Sequence, residues 1–271
     1  MTVAIGFFGI TRSLKYTIDS IKKNVFDVLK REGIDYHIFM HTYFLQNYKN
    51  PRIRERVKNE YIDNEEYKLL NVDYLEIDNQ CDIKKKLNLE SYRTHRDPWN
   101  SKYATVDNFL LGQYSKLKLT CMIERSGIDY DYVIFMRPDC LYLNELSFSY
   151  FDHVNDSTVC VPDFHLYGSL KFNDRFCISN SATYKIYGKI FEHLFDISCK
   201  EPLHSETVIA KHLKKNGIDF VKVPFKFLRI RFGGKCDEKI CEIIGNKINL
   251  IPKDLFPLRS SHHYTNPATL S

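Results

Sequence analysis

No stretch of this 271-residue sequence approaches the roughly 18 consecutive apolar residues of a membrane-spanning helix. The opening Met1-Thr2-Val3-Ala4-Ile5-Gly6-Phe7-Phe8-Gly9 also lacks a basic leader and a cleavage site, so the expectation is a soluble, cytoplasmic chain with no transmembrane segment. Paired cysteines are missing too. The eight cysteines stand far apart, and the C-x4-C pair of Cys236 and Cys241 has no second pair to close a zinc site, which favours reduced thiols acting as small hydrophobes. The net charge of +5 is too slight to suggest nucleic acid, though it would welcome a phosphorylated ligand. No G-x-G-x-x-G fingerprint, internal repeat, heptad pattern or low-complexity tract occurs.

What the chain does have is aromatic mass. Its 18 Tyr and 19 Phe, within a 44% hydrophobic composition, suit a thick core and a sugar-stacking cleft equally. The length fits one large core better than two modest ones.

Residues 2–10 read as an apolar strand carrying Gly6 and Gly9, followed by Thr11-Arg12-Ser13 and a helical pattern from about Lys15 to Glu32. Glycines at a strand end let the backbone approach a ligand, and Thr11, Arg12 and Ser13 supply donors beside a helix start. Gly33 is a plausible C-cap, and residues 35–42 follow as the second strand of a βαβ unit. Residues 44–70 are polar and predict a solvated excursion with short helices, ahead of a strand over 72–77. The loop from Ser91 to Asn100 holds cations and the sole Trp, Trp99, and could cover a bound nucleotide. From Thr105 to Arg125, apolar spacings of three and four predict a long amphipathic helix. Short strands are expected at 157–162 and 175–178, helices at about 182–195 and 204–215, and a last strand over 220–232 with an edge position or bend at Pro224.

The most informative stretch is Asp131-Tyr132-Val133-Ile134-Phe135-Met136-Arg137-Pro138-Asp139. A run of apolar residues has the look of a central parallel strand, and Pro138 stops its ladder, so Arg137 and Asp139 lie at its carboxyl end. Ligands of open α/β sheets collect outside the carboxyl ends of the strands. An acid there can meet a metal ion or a phosphate; a plain surface ion pair is the competing interpretation.

The strand end at Phe8-Gly9, the Arg137-Pro138-Asp139 turn, the helix start Leu203-His204-Ser205-Glu206-Thr207 and the terminal His262-His263 together resemble the GT-A family of nucleotide-sugar glycosyltransferases. More narrowly, the order of Phe7-Phe8-Gly9-x-x-Arg12, Phe39-Met40-His41-Thr42, Met136-Arg137-Pro138-Asp139, Asn173-Asp174-Arg175-Phe176 and Ser205-Glu206 is similar to a group of bacterial and viral glycosyltransferase-like proteins. The resemblance implies an α/β, Rossmann-like GT-A domain over residues 1–232, with a mostly parallel sheet flanked by helices and an irregular tail over 233–271 wrapping it. It further implies a hexosyl- or pentosyltransferase taking a nucleoside diphosphate sugar, UDP foremost, as donor and a glycan or glycoconjugate hydroxyl as acceptor.

On that resemblance, Phe8, Gly9, Thr11, Arg12, Arg137 and Asp139 would hold the nucleotide. Asp139, with His262 and His263, would hold Mn2+ or Mg2+. Glu206 would be the base of an inverting displacement, with Asp174 second. Arg137 departs from the family pattern, standing where the first Asp of Asp-x-Asp would be, so it could itself neutralise the diphosphate in place of a metal. Each residue has a blander role open to it. Glu206 could be a helix-start acid favoured by the dipole, Asp174 a turn former, Arg12 a solvent-facing side chain, and the two histidines a surface pair. Arg229 and Arg231 alternate and so share a face, toward an anion or toward solvent. His37 and His41 also share a face, more in keeping with packing at the sheet end. Retention replaces inversion if Glu206 is remote from the acceptor. A nucleotidyltransferase acting on sugar phosphates, or a non-catalytic carbohydrate-binding protein, are the other function classes.

Overall fold

In β1 (Thr2–Phe8) successive side chains go to opposite faces, as the period of two requires. Val3, Ile5 and Phe7 enter one core layer, and Ala4 and Phe8 the other. Burial on both faces is why this segment reads as continuously apolar rather than alternating. The chain is described here from a computed structural model, over residues 1–51 and 57–236.

After β1 come α1 (Leu14–Ile21), a π-helical turn (Lys22–Phe26) and α2 (Asp27–Arg31), which run on as one amphipathic rod before β2 (Asp35–Phe44). Then follow a hairpin of β3 (Tyr48–Asn50) and β4 (Val57–Glu60), a 3-10 turn (Glu66–Leu70), β5 (Tyr74–Asn79), α3 (Gln80–Leu87) and α4 (Ala104–Arg125). The second half supplies β6 (Tyr132–Met136), β7 (Cys140–Tyr142), β8 (Thr158–Pro162), β9 (Phe176–Asn180), α5 (Tyr184–Gly188), α6 (Leu194–Ser198), α7 (Ser205–Lys215), β10 (Asp219–Val223) and β11 (Phe227–Arg229). The main sheet has seven strands in the order β10-β8-β9-β6-β1-β2-β5. All neighbours are parallel except β9, which runs against both β6 and β8. The expected α/β, Rossmann-like domain with a mostly parallel sheet between helices is what the chain adopts.

α4 crosses one face of the sheet over β1 and β2, and its closeness depends on Gly6. A Cβ at that position would sit 2.6 Å from Cδ2 of Leu119, so this glycine serves helix packing rather than a ligand. Deep in the same layer Lys116 is fully buried. Its Nζ lies 3.6 Å from the centroid of the Tyr187 ring and has no hydrogen-bond partner. Burial pushes its amine down to about 7, against the weaker opposing charges of Cys177 and Asp174, and the faces of Tyr187 and Phe8 favour the cation.

Three expectations are corrected. Among its described residues the excursion over 44–70 contains the β3–β4 hairpin and one 3-10 turn, and buried Tyr48 holds the chain in by stacking on Phe232 at 5.2 Å. The single strand over 220–232 is two. Pro224 cannot continue a ladder, so β10 ends as the parallel edge beside β8 while β11 turns away to pair antiparallel with β7. The helix over 182–195 is broken into α5, a 3-10 turn (Ile190–His193) and α6. At the break, Gly188 is pressed against Thr120 of α4, where a Cβ would lie 2.0 Å from the hydroxyl. Cys81, Cys121, Cys140, Cys160, Cys177 and Cys199 are free, and burial pushes the Cys160 and Cys177 thiols up to about 12, in keeping with packing roles. The tail expected to wrap the domain lies, beyond Cys236, outside the described residues, as does Cys241.

Candidate active site

A cleft of about 450 Å3 opens where the carboxyl ends of β1 and β6 meet the start of β9. The direction of β9 is what completes it. Because β9 is antiparallel, Phe176 pairs with Met136, and the residues just before it, Asp174 and Arg175, come to the same edge as Arg137. A larger, shallower depression of about 730 Å3, near Met1, Asp131 and Lys185, lies at the amino ends of β1 and β6, the wrong end for ligands of such sheets.

Asp139 lies beneath the cleft, 2% exposed. Arg137 forks onto it, Nε donating to Oδ1 at 2.8 Å and Nη2 to Oδ2 at 2.7 Å. Arg229 Nε donates to Oδ2 at 3.2 Å and Arg12 Nη2 at 3.3 Å. The backbone explains this convergence. β11 pairs with β7 so that Arg229 faces Cys140, Ile230 donates its N–H to the Asp139 carbonyl at 2.8 Å, and Ser13 donates its hydroxyl to the Ile230 carbonyl at 2.8 Å. Burial pushes the Asp139 carboxyl up, but the guanidiniums of Arg137, Arg229 and Arg12 outweigh it and hold the group well below the usual carboxylate range. Burial, and then the charges of Arg137 and Arg231, push Arg229 down from the guanidinium norm. Cations are crowded here.

The opposite wall carries the carboxylates. Glu206 is 5% exposed in the first turn of α7, where the positive end of the helix helps hold its charge. Arg175 bridges the pair, its Nη1 3.6 Å from Asp174 Oδ1 and its Nη2 3.7 Å from Glu206 Oε1. Ser205 donates its hydroxyl to Glu206. Burial, and then the charge of Asp174, nevertheless raise the Glu206 carboxyl above its ordinary value, the direction a proton acceptor working near neutrality requires. The start of α7 is locked by Gly168 at φ +71°, where a Cβ would lie 2.4 Å from the Thr207 hydroxyl.

At the rim, Trp99 stacks on His204 with ring centroids 4.8 Å apart. The loop that presents Trp99 is folded around Asp97, whose carboxylate accepts from the backbone N–H groups of Trp99, Ser101 and Tyr103. α4 forms a further side of the cleft with Asn108, Phe109 and Gln113; Gln113 Oε1 is buried without a partner.

The fold thus gathers Phe8, Gly9, Arg12, Arg137, Asp174, Glu206, Arg229 and Arg231 on one cleft. Gly9 takes φ +96° to make the turn. Thr11 is placed below the surface, its carbonyl accepting the N–H of Leu14 at 2.9 Å. His37 contacts Tyr130, and His41 is buried between Ser115 and Asp78, as expected of packing residues. His262 and His263 lie outside the described residues. Among the described residues no group of three or more His, Cys, Asp or Glu side chains is arranged to hold a metal ion. Both oxygens of Asp139 accept from guanidiniums, and the like charge of those neighbours does not suit a dication at this carboxylate. Sequence inspection missed three contributors. Arg175 was visible as the neighbour of Asp174, but only the direction of β9 reveals its bridging role. Tyr48, which accepts from Arg12, and Gln113 left no local signal.

A mostly parallel α/β sheet with a cationic floor and a carboxylate wall at its carboxyl ends defines a Rossmann-like protein with a charged cleft. No family model matches the chain, and no curated protein matches it. Among solved structures it is similar to the apo-form glycosyltransferase GlyE of Streptococcus pneumoniae TIGR4, at 10% identity and a TM-score of 0.40, over 81% of this chain and 44% of that one. The chain therefore spans less than half the length of that structure. No helix among the described residues is long and apolar enough to cross a membrane.

Proposed function

We propose that this protein is a glycosyltransferase of the GT-A type, moving a hexose or pentose from a nucleoside diphosphate sugar to a glycan hydroxyl. The observation that carries the proposal is the pairing, across one cleft, of a guanidinium floor with a carboxylate of raised pKa, Glu206. Glycosyl transfer needs both: positive charge where a diphosphate departs, and a base for the acceptor proton.

In the step so drawn, Glu206 takes the proton of the acceptor hydroxyl as its oxygen bonds to the anomeric carbon. The bond from that carbon to the diphosphate oxygen breaks, and the electron pair leaves with the nucleoside diphosphate toward Arg12, Arg137 and Arg229. A single displacement of this kind inverts the anomeric centre. Phe8, Gly9, Asn108 and Phe109 offer the nucleoside an apolar and hydrogen-bonding side, for which UDP is our first choice. The Trp99–His204 stack gives a sugar ring an aromatic platform, and Asp174 holds Arg175 in register with the base. A nucleotidyltransferase would want a lysine in the loop after β1. Lys15, the candidate there, instead pairs with Glu66 at 4.0 Å, more than half exposed.

The test is incubation of the full chain with a panel of nucleotide sugars and glycan acceptors, with and without Mn2+. Release of nucleoside diphosphate with transfer to glycan supports the assignment. Turnover of nucleoside triphosphates with a sugar phosphate would replace it with nucleotidyl transfer, and glycan binding without donor turnover would replace it with a lectin-like role.

A further inference from the structure

We propose that the anionic group of the ligand is bound by guanidiniums alone, and that Asp139 is a positioning residue that aims them rather than the ligand of a divalent cation. The transferase assignment enters only in identifying that anion as a diphosphate.

Two independent features of the cleft carry this. First, Asp139 is committed to guanidiniums. Its fork to Arg137 and its bonds to Arg229 and Arg12 engage both oxygens from the protein side, and a dication set among those guanidiniums would be repelled by each of them. Second, donor atoms are waiting. Arg175 Nε and Nη1 are buried without hydrogen-bond partners, and Arg137 keeps about a quarter of its side chain exposed on the cleft while anchored below. A guanidinium fixed at one edge and open at the other is preorganised to fork a phosphate. The depression of the Arg229 pKa by burial and its cationic neighbours points the same way, since an arriving anion relieves the crowding.

The arrangement also assigns Asp139 a sign. If it merely sat near the ligand, its negative charge would oppose an anion, and Asp139→Asn would tighten binding. As the hub that holds three guanidiniums in place, its loss weakens binding although the site becomes more positive.

The experiment is calorimetric titration of the full chain with inorganic pyrophosphate and with UDP, in EDTA and in Mn2+. The expected result is affinity in EDTA within about twofold of that in Mn2+, a loss of tenfold or more in Arg137→Met, and a loss rather than a gain in Asp139→Asn judged on folded protein. If Asp139→Asn does not fold, Arg137→Met and Arg229→Met, which leave the carboxylate and two of its partners in place, decide the matter. In parallel, the electron paramagnetic resonance signal of free Mn2+ should be unchanged by stoichiometric protein with pyrophosphate. Binding that requires Mn2+, capture of Mn2+ that Asp139→Asn abolishes, tighter binding in Asp139→Asn, or no binding in either buffer each overturns the proposal. Pyrophosphate binding in EDTA by a protein that transfers no sugar would leave the clamp standing and remove the transferase assignment instead.

Discussion

Arg175 reaches Glu206 with its Nη2 3.7 Å from Oε1, while its Nη1 lies 3.6 Å from Asp174. One guanidinium thus mediates between two carboxylates that would otherwise repel each other at a buried site. That places control of the Glu206 carboxyl, the base of the proposed mechanism, in a residue that does not itself move a proton.

Transfer by Glu206→Gln should fall by about 10²- to 10⁴-fold with circular dichroism unchanged. The acidic limb of the kcat/KM profile should lie above the usual carboxylate value of about 4.3, because burial and Asp174 raise this group. Arg175 opposes that rise. Arg175→Met should therefore move the limb to higher pH and Asp174→Asn to lower pH. A limb that stays put in both variants would detach Glu206 from the proton transfer.

Asp139→Asn should cost about 3–5 kcal/mol of stability, since removing one partner strands buried opposite charges. Asp139 has its folded value depressed, so its contribution is fully present above the unfolded value of about 3.9 and is lost as pH falls below it. Urea titrations of wild type and variant should accordingly converge in strongly acidic solution and separate above it. Parallel curves across that range would contradict the ion-pair hub.

Lys116→Met should stabilise the fold. The amine is depressed to about 7, so the stability it contributes is present above the unfolded value of about 10.4 and is lost as pH drops through about 7. Replacing it with a similarly shaped apolar chain removes that dependence. A Tm gain on the order of 5–10 °C at pH 6, shrinking by pH 9, is expected. Loss of stability at pH 6 would mean the buried cation has a partner that the fold does not show.

Gly6→Ala should lower stability by about 1–3 kcal/mol through overpacking, because its Cβ would meet Leu119 at 2.6 Å. Trimming the neighbour in Gly6→Ala/Leu119→Val should recover part of the loss. Strictly additive effects would show that the two positions do not touch.

The layered core was readable from periodicity. β1 and β6 are continuous apolar runs because both their faces are covered, and α1 and α4 show helical spacing because each covers one face. Phe8, Gly9, Arg12 and Arg137 could be placed by their position just beyond strand ends, which is a local property. Asp174 and Glu206 could be suspected from their flanking residues, but their meeting through Arg175 depends on β9 running antiparallel, and no local pattern encodes strand direction. The same limit explains Asp139. Its residue type at a strand end suits a metal ion, and only the return of β11 alongside β7, more than eighty residues later, brings Arg229 to claim it. The hairpin over β3 and β4 was hidden because Tyr48 is held by partners distant in sequence, Arg12 and Phe232.

The contacts of Asp139 also impose an order of events on a growing chain. Arg12 is 127 positions before it and Arg229 is 90 after it, and Ser13 ties to Ile230 across 217. During synthesis the sheet strands nearest the amino end can pair while the carboxylate is still short of the Arg229 counter-charge. The carboxylate gains its full set of these partners only once β11 has been made, when three remote segments meet.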